Sequence, residues 1–148
     1  PDYVAIYYEV IHDFRIIPLD GRPHVSPLVR QWWGDSRGRW EGDTLVVHVT
    51  NFSDKTFLKQ QHTGSFRGGG KDMEVVERWH VNEDGILEYR ATITDPRSFT
   101  RPWRMAVPLV RDDEHMVLEY ACHEGNYGMR NILTAAQKEN ESAGKKEK

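Results

Sequence analysis

His12, His24 and His123 each sit at the end of a strand-like run or in the loop beside one, where side chains from distant parts of a chain are brought together. Three imidazoles meeting there would hold a divalent metal and leave a coordination position open for a substrate. The sequence has no HxH, no HExxH and no paired cysteines, so such a site would have to be assembled by the fold. His12, His24 and His123 are therefore the candidate metal ligands. His62, in a glycine-rich stretch, and His115, in a charged turn, are expected to be dispensable. A general acid or base would come from His12, Glu77 or Glu124. In Cys122-His123-Glu124 a thiol, an imidazole and a carboxylate follow in a row, but neighbours on a strand point to opposite faces, and Cys122 reads as a buried structural residue.

Glu77 falls between Val75 and Trp79 on the apolar face of its strand, where an unpaired carboxylate is costly. It requires an inward partner, and Arg78, Arg90 and Arg104 are the expected donors, in an ion pair whose commoner role is structural. Trp32 and Trp33 are adjacent in a loop and cannot both face one core. At least one ring is thus left for a ligand, with His24 and His123 as further ligand contacts. Trp40, Trp79 and Trp103 lie inside strand patterns and are expected in the core. Gly34-Asp35-Ser36, with Asp112 and His115 downstream, mimics the serine and DxxH pair of GDSL-type esterases. Those enzymes seat the serine on an α/β sheet; no βαβ pattern is present here, and turn chemistry accounts for each of these residues.

The elements that must position these side chains are mostly strands. Val4, Ile6, Tyr8 and Val10 alternate over 3–11, and 14–18 reads as the returning strand. A proline-containing loop follows over 22–34, with one helical turn expected at 28–32. Glu41-Gly42-Asp43 is a tight-turn signal that joins 39–40 to 44–50. The stretch 51–71, with Gly68-Gly69-Gly70, reads as a loop. A second hairpin joins 73–81 to 86–94, and alternation over 102–111 and 116–122 predicts two further strands, with Pro108 marking an edge or bulge. Met129, Ile132, Leu133 and Ala136 predict a helix over 129–139, followed by a disordered tail after Gly144. About eight short strands with one C-terminal helix predict a mainly β, single-domain fold over 1–143: an antiparallel up-and-down barrel or strongly curved sheet, lipocalin-like in style, with a β-sandwich as the alternative.

Composition narrows the function. Twenty Lys and Arg against 23 Asp and Glu give a net charge of -3, which does not build a phosphate-neutralising surface, so nucleic acid is not an expected partner. No glycine-rich phosphate motif is present, so no nucleotide cofactor is expected, whereas a divalent metal is compatible with the histidines. A lone cysteine forms no internal disulfide, and no apolar run approaches the roughly 20 residues of a membrane span.

The segments Ile16-Ile17-Pro18-Leu19-Asp20-Gly21-Arg22-Pro23-His24, Gly34-Asp35-Ser36-Arg37-Gly38-Arg39-Trp40-Glu41-Gly42-Asp43-Thr44-Leu45 and Glu119-Tyr120-Ala121-Cys122-His123-Glu124-Gly125-Asn126-Tyr127-Gly128 resemble a large family of uncharacterised exported bacterial proteins. The resemblance implies a longer precursor with a signal peptide, of which this chain is a C-terminal portion, and a periplasmic or secreted location. It implies no particular activity. Three readings follow: a small-molecule-binding barrel; a metal-dependent hydrolase or lyase using His and Glu at the barrel mouth; and an interaction domain that pairs with a missing N-terminal segment or with a second copy of itself.

Overall fold

The computed structural model describes residues 2–10, 12–55, 70–121 and 124–144, with 139–144 described by their backbone alone. Cys122, His123, His62, Gly68, Gly69 and the tail after Gly144 lie outside the described residues. The strands are β1 (Tyr3–Tyr8), β2 (Asp13–Pro18), β3 (Asp35–Glu41), β4 (Thr44–Thr50), β5 (Glu74–Val81), β6 (Leu87–Thr94) and β7 (Trp103–Leu109), and α1 (Gly128–Gly144) follows them. The chain divides into two compact units. One contains all seven strands (2–8 and 13–116), and the other contains 9–12 and 117–144 with the helix.

In the first unit β1 and β2 form an antiparallel hairpin, and β3 to β7 form a five-stranded antiparallel sheet in sequence order. The meander follows from the turns. Gly42 (φ 63°) closes β3–β4, and Gly85 (φ 77°) closes β5–β6, the latter with the Asn82 side chain accepting from the backbone N–H groups of Asp84 and Ile86. Val47, Val49, Val75, Ala91 and Ile93 line one face of the sheet, and Ile17 of the hairpin is fully buried with them. Gly38 permits that contact, since a Cβ there would sit 2.7 Å from both Ile17 Cγ2 and Leu19 Cδ2. On the opposite face one row runs Arg39, Val46, Arg78, Arg90 and Ala106 across the five strands.

Several expectations are corrected. The barrel does not close among the described residues: β3 and β7 are the two edges of an open sheet, and the β1–β2 hairpin forms a sheet of its own. The strand expected over 116–122 is absent from 116–121. Met116, Leu118 and Tyr120 alternate but are all exposed, and among the described residues the segment joins no β-ladder. The single helical turn expected at 28–32 is replaced by two short hydrogen-bonded turns, at Pro27-Leu28 and at Trp32-Trp33, on either side of an isolated parallel bridge from Gln31 to Phe52. Trp40, expected in the core, is 55% exposed because its position at the end of edge strand β3 outruns the hairpin that covers the centre. Trp79 and Trp103 pack against the core as partly buried rings.

Candidate functional site

Three polar constellations occur in the first unit. The deepest is built on Glu77, which projects from the middle of the apolar face between Val47 and Ala91. Its partner is Arg15 of β2, which donates from Nη1 to Oε1 at 3.0 Å and from Nη2 to Oε2 at 2.5 Å, and the Tyr89 hydroxyl donates to Oε1 at 3.1 Å. The expected donors fail for a geometric reason: Arg78, Arg90 and Arg104 all occupy rows of the opposite face, one residue out of phase with Glu77. Only a strand laid over the face can deliver a guanidinium there. Burial works against the Arg15 charge, but the hydrogen bonds and charge of Glu77 outweigh it and raise the Arg15 pKa.

Burial, together with the Glu77 charge and hydrogen bond, raises the Tyr89 pKa well above the usual phenol value of 10.0; burial likewise raises that of Tyr8. A phenol whose folded-state pKa lies above its unfolded value contributes stability in full below about pH 10 and loses it as the pH climbs beyond. The urea midpoint should therefore fall as the pH rises from about 10 to 12, and Tyr89→Phe should flatten that fall. An equal fall in the variant would remove Tyr89 as its source.

The second constellation is a chain of imidazoles. Asp35, buried at the start of β3, accepts from His24 Nδ1 at 2.7 Å and from the Val25 N–H at 3.1 Å through Oδ2, and from Arg37 Nη1 at 2.7 Å through Oδ1. His24 Nε2 lies 2.9 Å from His48 Nδ1, and His48 Nε2 lies 2.7 Å from Glu74 Oε1. The backbone that presents His24 is fastened twice. Asn51, in a left-handed conformation (φ 58°) just after β4, donates to the Val25 and Ser26 carbonyls, and Arg37 Nε donates to the Pro23 carbonyl.

The third is an open cleft of about 750 Å³ between the β1–β2 hairpin and the loop 22–34. Its aromatic wall includes Tyr3, Phe14, Trp32 and Trp33. Trp33 is stacked on Tyr8 at 5.2 Å between centroids and donates its indole N–H to Asp13 at 2.7 Å. Arg15, Arg22, Arg30 and Arg37 supply its positive charge. Arg22 is paired with Asp20, Arg37 with Asp35 and Arg15 with Glu77, whereas Arg30 forms no ion pair among the described residues and bonds the Phe52 and Lys71 carbonyls. Two cleft-lining residues hold a buried polar atom without a hydrogen-bond partner among the described residues: Ser36 Oγ and Arg15 Nε.

The residues singled out from sequence thus separate. Trp32 and Trp33 line the cleft, 59% and 39% exposed. His24 joins the imidazole chain, and Glu77 ties hairpin to sheet. His12 and Glu124 belong to the second unit. His12 is exposed with φ 52° and its ring 6.4 Å from that of Tyr120, and Glu124 is exposed in a turn with its N–H donating to the Ala121 carbonyl. His123 lies outside the described residues. Asp112, far from being part of a serine triad, accepts from the backbone N–H groups of Glu114 and His115 in its own turn. Among the described residues no three His, Cys, Asp or Glu side chains converge as a closed metal site requires.

Sequence reasoning missed His48, Glu74, Arg15 and Arg30, and assigned Asp35 and Ser36 to a turn. His48 carried a signal, being the one ionisable residue in the β4 run Thr44–Thr50. Arg15 carried the opposite of one: it turns inward with Ile17 while Phe14 and Ile16 face out, 62% and 45% exposed, so the alternation is inverted. No known protein-family model, no curated protein and no solved structure matches the chain.

Proposed function

We propose that this domain binds a small, flat, anionic molecule, an aromatic carboxylate being the class that fits, in the cleft between the β1–β2 hairpin and the loop 22–34. The observation that carries the reading is an open cleft walled by the rings of Trp32 and Trp33 and lined by Arg30, which forms no ion pair among the described residues. The Arg30 guanidinium can only donate, so the complementary ligand is rich in acceptors. The indole faces favour a planar body, and concave sites with a few placed polar groups are the usual form of small-molecule sites. The resemblance of its longest segments to exported bacterial proteins supports placing this binding activity outside the cytoplasm.

Calorimetric titration with a panel of aromatic carboxylates and their neutral amides tests the reading. Saturable binding of at least one acid is expected, weakened about tenfold or more by Trp32→Ala and by Arg30→Met, with the amide binding far more weakly than the acid. Absence of saturable binding across the panel, or equal affinity for acid and amide, overturns it.

A further inference from the structure

We propose that two copies of this chain pair edge to edge through β7 about a two-fold axis, joining two five-stranded sheets into one of ten strands. The inference is independent of the cleft. Among the described residues β7 has a ladder on one side only, from β6. The direction of its peptide groups follows from the neighbouring hairpin, where the Asn82 N–H donates to the Ile86 carbonyl at 3.0 Å. Bonded and unbonded pairs alternate along an antiparallel ladder, so the even-numbered residues of β6 bond β5 and the odd-numbered ones bond β7. Pro108, which has no N–H to give, accordingly stands opposite Glu88, in the set that does not bond β6. The peptide groups of Arg104, Ala106 and Pro108 therefore point out of the sheet edge.

Set antiparallel against itself with Ala106 on the axis, β7 overlaps over all seven of its residues. The two copies of Ala106 exchange a pair of hydrogen bonds, and each Arg104 N–H meets the carbonyl of the partner's Pro108. Trp103 then faces the partner's Leu109, and Met105 the partner's Val107, apolar against apolar on the face of the sheet that carries the core. Met105 and Leu109, exposed in a single copy, gain cover from this pairing. No charge meets its like, since Arg104 stands opposite a proline. The other edge fails the same operation. Turned on itself about Gly38, β3 would set Arg37 against the partner's Arg39 and Asp35 against the partner's Glu41, like charges directly opposed. The self-complementary edge is thus β7, and a two-fold pairing consumes it and stops at the dimer.

Sedimentation equilibrium of the full chain, with amide hydrogen exchange measured on the same samples, tests the proposal. An interface of seven residues a side is small, so a dimer half-formed at about 0.1 mM chain is expected. The Arg104 and Ala106 amides should exchange about fivefold more slowly at about 1 mM than at about 10 µM, following the fraction of chains paired. Ala106→Pro removes the central donors without touching a bond to β6 and should weaken the dimer about tenfold or more. Arg39→Ala, on the other edge, should leave it unchanged. Should Ala106→Pro fail to fold, amide exchange in the wild-type protein decides. A chain that stays monomeric at about 1 mM, a dimer that survives Ala106→Pro in folded protein, or Arg104 and Ala106 amides whose exchange is independent of concentration overturns the proposal.

Discussion

Replacing Glu77 with leucine is expected to cost about 3–5 kcal/mol of stability, whereas the double change Arg15→Met with Glu77→Leu costs far less or nothing. The asymmetry follows from burial. Arg15 and Glu77 are 8% and 5% exposed, so removing the carboxylate alone strands a guanidinium in an apolar layer with its forked partner gone. Removing both leaves methionine against leucine among Ile17, Val47 and Ala91, with only the part-buried Tyr89 hydroxyl losing its acceptor. Urea denaturation of the two single variants and the double variant closes the cycle. Additive losses would mean that the two side chains stabilise the fold independently and that the pair is not the joint between hairpin and sheet.

The second large effect is at Gly34. Its φ of 68° lies in the left-handed region, and a Cβ added there would stand 2.5 Å from the Thr50 carbonyl oxygen and 2.8 Å from Val49 Cγ1. Left-handed strain of about 1–2 kcal/mol adds to an overpacking cost of about 1–3 kcal/mol, and a backbone oxygen cannot swing aside as a flexible side chain would. Gly34→Ala should therefore lower the melting temperature sharply and loosen the loop that carries Trp32 and Trp33. Gly42 shares the conformation (φ 63°) but has open space around it, so Gly42→Ala should show the strain alone. Equal melting shifts in the two variants would mean that the contact with β4 contributes nothing.

What was legible in the sequence was local. Period-two alternation and glycine-centred turns placed β2 and β4 to β7 within a residue or two, because each depends on neighbours in the chain, whereas β1 was read three residues too long and the start of β3 was taken for a turn. The same rules placed a strand at 116–122, whose alternating Met116, Leu118 and Tyr120 are exposed, and they missed that Arg15 turns inward. Glu77 announced that it needed a partner but not which one, since the answer lies 62 residues away on a hairpin whose docking no local pattern encodes. The imidazole chain was half-legible. His24 stood out by its loop position, but Asp35, His48 and Glu74 come from three strands and meet only once the register of β3, β4 and β5 is set.

The row of arginines on the uncovered face bears on how copies of this domain meet one another. Arg78 and Arg90 stand directly opposite each other on β5 and β6, an arrangement that neighbouring strands ordinarily avoid. They remain there because Glu41 and Glu88 neutralise them from the flanks, at 3.0 and 2.7 Å. A second sheet pressed onto that face would have to strip water from every one of these charges and set arginine against arginine. Open antiparallel sheets are exposed to stacking and edge-to-edge growth. Here the back of the sheet is guarded by the desolvation cost of paired charges, a barrier to face-to-face stacking that does not depend on net charge and that screening by salt leaves largely in place.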